Sequence, residues 1–199
     1  MKIWAIVPIK PIDSAKSRLS SVLTPQQRSE LTLNLLQNTL TILAGWQPLA
    51  GTLITSADPE VWKMASQYQV DIFKEPDVPG LNESLRRATL EIDRKGADGV
   101  LVIPGDLPFL DHPSLQKIID LANQPPLVAI APDKNRQGTN AMLVSPTGVI
   151  PYWYGPNSFR KHQEAARLAH IPTYTIDLAS LAIDIDLPED LLSIQQWHR

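Results

Sequence analysis

Four short stretches of the chain gather side chains with usable chemistry. The first runs from Lys10-Pro11 through Ala15-Lys16-Ser17-Arg18-Leu19 and places Lys10, Lys16 and Arg18 close together. Such a density of cations suits phosphates, and it equally suits a solvated basic loop. The second is Pro104-Gly105-Asp106-Leu107-Pro108. A carboxylate held between prolines has few conformers, which favours a hard divalent cation, although a plain turn has the same composition. The third is Asp184-Ile185-Asp186-Leu187-Pro188-Glu189-Asp190. On a strand Asp184 and Asp186 point to one face, where they could share a cation with each other or with Asp106. Pro188, Glu189 and Asp190 also match a helix start stabilised by its dipole, and that structural role is assigned to the last two. The fourth pairs Gly138-Thr139-Asn140 with Gly155-Pro156-Asn157-Ser158-Phe159, followed by His162. Amides and hydroxyls there could face an anion, with Ser158 capping a helix, yet ordinary turn chemistry explains each segment alone. His162 reads as a surface or packing histidine rather than a base, because no serine or cysteine nucleophile visibly pairs with it.

Elements that would position these stretches follow from hydrophobic period. Segments 2–7, 99–103 and 127–131 read as buried strands, 52–55 and 70–73 as further short strands, and 141–144, 173–176 and 182–185 as mixed or edge strands. Between them lie helical patterns: 24–43, a segment opened by Asp58-Pro59, 81 to near Gly96, a segment opened by His112-Pro113, 158–169 and 188–197. Thr24, Pro25 and Gln27 match an N-cap, a first helical position and a capping-box partner. Continuous apolar strands alternating with amphipathic helices predict a single-domain α/β, Rossmann-like fold over 1–199. Its sheet is mixed but mainly parallel, with helices on both faces. In such sheets ligands bind beyond the carboxyl ends of the strands, which is where the first two stretches fall.

Composition narrows the classes. The 199 residues hold no cysteine, which excludes disulfides, thiolate metal sites and a cysteine nucleophile, and a cytoplasmic location is the natural expectation. A net charge of −3 gives no reason to expect nucleic acid or an acidic membrane as partner. No apolar run approaches the roughly 20 residues of a membrane span, and no cleavable leader pattern occurs. The 18 prolines are many for this length, and scattered. Charge is segregated along the chain: cations dominate 1–18, whereas 177–190 holds Asp177, Asp184, Asp186, Glu189 and Asp190 without a cation. The two clusters could meet at a site for an anion and a metal, or form two solvated faces. Neither a Walker loop nor a dinucleotide glycine fingerprint is present.

Taken in order, Val7-Pro8-Ile9-Lys10-Pro11, Ala15-Lys16-Ser17-Arg18-Leu19, Gly80-Leu81-Asn82, Pro104-Gly105-Asp106-Leu107-Pro108, Gly138-Thr139-Asn140-Ala141, Ser158-Phe159 with His162, and Asp184 to Leu191 resemble the CofC/FbiD family of guanylyltransferases. These act in biosynthesis of the deazaflavin coenzyme F-420. The resemblance implies a glycosyltransferase-A-like nucleotidyltransferase fold, in which Lys10-Pro11 stands where related enzymes carry a glycine-rich loop. It further implies transfer of GMP from GTP to a phosphorylated three-carbon acid with release of pyrophosphate. Phosphoenolpyruvate is the expected acceptor, with 2-phospho-L-lactate and 3-phosphoglycerate as alternatives.

By the same resemblance Asp106 and one or both of Asp184 and Asp186 would bind magnesium, as two ions. Thr139, Gly155 and Ser158 would hold the phosphoacid. Lys10, Lys16 and Arg18 would meet phosphates and, with Asp106, form the catalytic set. Lys16, Gly80 and Asn82 would lie on the nucleotide side. The partners expected are therefore small molecules, and an oligomer is compatible with the chain. A different class, an inactive nucleotide-binding regulator, is disfavoured by retention of all three aspartates.

Overall fold

The computed structural model describes residues 1–78 and 80–192. Pro79, and the part of the expected 188–197 helix beyond residue 192, lie outside them. Among the described residues seven strands form one sheet: β1 (Ile3–Pro8), β2 (Gly51–Ser56), β3 (Asp71–Lys74), β4 (Gly99–Val102), β5 (Leu127–Pro132), β6 (Thr139–Ser145) and β7 (Thr173–Thr175). The order is β3-β2-β1-β4-β6-β5-β7. All pairings are parallel except those of β6, which runs antiparallel to both β4 and β5.

The sheet is covered by α1 (Pro25–Leu43), α2 (Pro59–Ala65), α3 (Leu81–Asp93), α4 (His112–Asp120) and α5 (Ser158–Leu168). Alternation along the strands sorts the core into two layers. Ala5 and Val7 of β1 and Leu101 of β4 meet Leu36, Leu40, Val61 and Leu115 of α1, α2 and α4. Ile6, Val100 and Val102 point the other way, against Leu85, Ala88 and Ile92 of α3 and Phe159 and Ala166 of α5. The start signals work as the sequence implies. Thr24 accepts from Gln27 N while the Gln27 side chain accepts from Thr24 N, and Asp58 caps α2. Pro25, Pro59 and Pro113 occupy first turns, where a missing N–H costs nothing.

Segment 141–144 belongs to β6, the antiparallel strand that makes the sheet mixed, and it lies between β4 and β5, not at an edge. Two expectations need correction. Segment 182–185 is not a strand. It follows a 3-10 turn at Ala179–Leu181, and its backbone groups are used locally: Lys134 N donates to Ala182 O, and Ile185 N donates to Asp106 O at 3.3 Å. Ser158 is the first residue of α5 and not its cap. Asn157 holds the cap position in a left-handed conformation (φ 59°) and makes no side-chain cap bond. Among the described residues no helix is long and apolar enough to cross a membrane.

Candidate active site

Strand order reverses between β2-β1 and β4, and at such a switch point the loops after the strands part to leave a crevice. The crevice here is a cavity of ≈ 770 Å³. Lys10, Lys16, Arg18, Asp106, Thr139, Gly155, Ser158, Asp184 and Asp186 all line it. So do Pro8, Pro11, Pro104 and Pro156, which stiffen the loops that carry them.

The two charged ends of the chain meet here. Lys16 Nζ lies 2.6 Å from Asp106 Oδ2, with only 6% of the lysine side chain exposed. Lys16 reaches this position from a left-handed backbone (φ 53°), a conformation that a non-glycine residue holds at a cost of order 1 kcal/mol. Arg18 Nη1 donates to Asp186 Oδ2 at 2.7 Å across the mouth. Asp184 turns inward instead. Asn140 Nδ2 donates to Leu181 O at 2.8 Å and lies 3.5 Å from Asp184 Oδ1. Burial, and next the charge of Asp106, push the Asp184 carboxyl up to about 6. The expectation that Asp184 and Asp186 present one face is therefore corrected: the segment bends, so one carboxylate faces Asp106 and the other faces Arg18. Among the described residues no three His, Asp or Glu side chains form a ready metal cluster.

The wall opposite is built from β6, α5 and the 152–155 segment. Gly155 carries φ +119°, a region that side chains rarely adopt, and no heavy atom would meet a Cβ there. Thr139 and Ser158 are buried, and Ser158 Oγ donates to Thr139 Oγ1 at 3.3 Å. At Gly105 a Cβ would meet Ile9 Cδ1, so the end of that side chain would have to shift.

The nucleotide-side residues read from the sequence fare differently. Gly80 is exposed at the cap of α3, and neither it nor Asn82 lines the cavity among the described residues. Both ends of the Asn82 amide are occupied: Nδ2 donates to Tyr154 O at 3.1 Å and Oδ1 accepts from Tyr154 N at 2.7 Å. Asn82 thus holds the segment carrying Gly155 through both ends of its amide. Its helix neighbours Leu81 and Ser84 do line the cavity.

Two lining residues escaped sequence reasoning. Glu75 follows β3, and burial raises its carboxyl while the Ser84 and Thr55 hydroxyls hold it down. Asn140 was visible only as part of a turn motif. Asp190, assigned to a helix start, is a clasp: it accepts from Asp186 N and Leu187 N and pairs with Lys134. His162 is fully buried, consistent with packing. Its placement four residues after Ser158 was the available signal, since i and i+4 share a helix face.

A family model described as "Guanylyl transferase CofC like" matches residues 2–197. The chain belongs to the CofC-like guanylyl transferases. Its relatives in that family include the phosphoenolpyruvate guanylyltransferase of Rubrobacter xylanophilus, 34% identical over 98% of this chain and 94% of that one. The protein of the same description from Sphaerobacter thermophilus is 36% identical over 94% of this chain and 89% of its own. The 2-phospho-L-lactate guanylyltransferase of Methanocaldococcus jannaschii is 32% identical, covering 96% and 81%. Among solved structures, a protein assigned as a nucleotide-diphospho-sugar transferase from Desulfovibrio desulfuricans superposes with TM-score 0.75 at 18% identity, covering 100% of this chain and 89% of that one. A Mycobacterium tuberculosis protein in complex with manganese gives TM-score 0.62 at 16% identity, covering 98% and 99%. The CofC-like chain therefore has the glycosyltransferase-A-like nucleotidyltransferase fold, and it is a nucleotidyltransferase. Each of the seven motifs that carry the family resemblance contributes at least one residue to the cavity lining, and the loop with Glu75 adds to them.

Proposed function

We propose that this enzyme transfers GMP from GTP to phosphoenolpyruvate, releasing pyrophosphate. The carrying observation is the convergence of Lys10, Lys16 and Arg18 with Asp106, Asp184 and Asp186 in one cavity whose opposite wall offers Thr139, Gly155 and Ser158. The names of the bacterial relatives favour phosphoenolpyruvate over 2-phospho-L-lactate.

The chemistry fits this inventory without a general base. An oxygen of the acceptor's phosphate attacks the α-phosphorus of GTP, the bond from that phosphorus to the bridging oxygen breaks, and pyrophosphate leaves with the electron pair. A phosphate monoester has its second pKa near ~6, so the nucleophile is largely dianionic at pH 7. The demand is placement of two mutually repelling anions in line. Thr139, Gly155 and Ser158 hold the phosphoacid on one wall. Lys10, Lys16 and Arg18 face the phosphates, Lys16 by exchanging its carboxylate partner for a phosphate oxygen.

The donor set also fits divalent magnesium. Asp106 Oδ1 is buried without a hydrogen-bond partner, and Asp184 beside it is held against mutual repulsion that a cation would relieve. Asp106 and Asp184 would hold the ion, with Asp186 joining on release from Arg18. When bound, magnesium supplies charge neutralisation at the phosphates. A structural relative in complex with manganese supports a divalent requirement.

The test is pyrophosphate release from GTP with and without phosphoenolpyruvate, in excess chelator and after adding magnesium back. Release only when acceptor and metal are both present is expected. Release without an acceptor, or none with it, overturns the reading.

A further inference from the structure

His162 touches no part of the cavity, yet it joins the three pieces of the phosphoacid wall. It lies on α5, fully buried. Its Nε2 accepts the backbone N–H of Trp153 at 2.9 Å, and its Nδ1 lies 3.0 Å from Thr139 Oγ1. The Tyr154 ring packs edge-on against the imidazole at 4.9 Å between centroids.

These contacts settle where the proton sits. A backbone N–H can only donate, so Nε2 is an acceptor and a neutral ring carries its hydrogen on Nδ1. Nδ1–H therefore donates to Thr139 Oγ1. That oxygen also accepts from Ser158 Oγ, which fills both of its acceptor positions. The Thr139 hydroxyl hydrogen then has no protein acceptor among the described residues, and Thr139 lines the cavity. Burial, with the Lys161 charge a lesser cause, holds His162 at about 4, so the ring stays neutral under working conditions.

We propose that His162 is a positioning residue that fixes the proton polarity of the acceptor wall, leaving Thr139 a donor toward an anionic oxygen of the phosphorylated acid. The inference rests on the assignment of Thr139, Gly155 and Ser158 to that acid. It explains how a wall of neutral hydroxyls is committed to an anion: a serine–threonine pair alone can donate in either direction, whereas one fed by a fixed N–H from behind must send a hydrogen forward. It also gives His162 a second task, since the Trp153 bond and Tyr154 contact hold the segment that presents Gly155.

Two variants separate the ring's two bonds. His162→Asn keeps an N–H near the Nδ1 position and gives up the Trp153 acceptor. His162→Gln places its amide near Nε2, where the oxygen can accept from Trp153, and gives up the donor to Thr139. Steady-state kinetics on the folded enzymes should show KM for phosphoenolpyruvate raised about 10- to 100-fold in His162→Gln, the loss expected for a hydrogen bond to a charged group. KM for GTP should be unchanged, and His162→Asn should recover much of the acceptor KM. His162→Gln should add nothing to Thr139→Val, because both remove the same donor chain. Equal phosphoenolpyruvate KM in wild type and His162→Gln overturns the role of His162 alone, and so does a loss that is additive with Thr139→Val. Absence of turnover by the wild type with any phosphorylated acid removes the assignment on which the proposal stands. Nitrogen-15 chemical shifts of the wild-type imidazole need no variant. An unprotonated Nε2 and protonated Nδ1 from pH 5.5 to 8 are expected, and the opposite tautomer overturns the proposal.

Discussion

At Asp106 the loop chemistry and the charge balance of the whole site meet in one side chain. Its Oδ2 is clasped by Lys16 and its Oδ1 is buried without a partner. Asp106→Asn keeps the shape and removes the charge, so turnover should fall by at least about a thousandfold while the far-ultraviolet circular dichroism is unchanged. Near-wild-type rates would return Asp106 to the role of a turn residue. His162 makes a prediction about stability and pH. Its folded-state value, about 4, lies below the ordinary 6.5, so between these values the unfolded chain binds more protons. Stability is thus fully present above pH 6.5 and is lost as pH falls toward 4, by about 3 kcal/mol in all. Urea unfolding at pH 7.5 and 4.5 should show a larger loss for wild type than for His162→Gln; equal losses would contradict a buried neutral ring.

Among the elements, the loops carry the strain and the strands carry the register. Gly155→Ala meets no atom but forces a side chain onto φ +119°, so it should cost about 1 to 3 kcal/mol in chemical denaturation and weaken acceptor binding. An unchanged midpoint would show that the segment can relax. The same division governs what sequence reasoning could reach. Strands at 3–8 and 99–102 were legible because they are continuously apolar and bounded by turns or charges. Helix starts were legible from Thr24, Asp58 and their prolines. The 182–185 segment was not, because Ala-Ile-Asp-Ile looks like half-buried alternation while its backbone bonds go to Lys134 and Asp106, distant in sequence. Nor could spacing alone show that Asn82 closes both hydrogen bonds on Tyr154, a residue brought near only by the packing of α3. The site residues at strand ends were found because the parallel sheet dictates where ligands bind. The supporting layer of His162, Asn140 and Glu75 depends on tertiary contacts.

Across the whole molecule, the separation of cations and carboxylates along the chain becomes proximity in the fold: Arg18 and Asp186 touch although 168 residues apart. The prolines at positions 8, 11, 104 and 156 hold the loops around that meeting point. A site assembled this way, with fixed cations, paired aspartates and a committed hydroxyl wall, is suited to joining two anions through phosphorus. The most direct test of that claim is the product itself. Purified protein, GTP and magnesium are incubated with equimolar phosphoenolpyruvate, 2-phospho-L-lactate and 3-phosphoglycerate, and the products are resolved by mass. One dominant new species is expected, GMP joined to phosphoenolpyruvate, matched mole for mole by pyrophosphate. A dominant adduct of either other acid would contradict the acceptor assignment, and pyrophosphate without any adduct would contradict the transfer.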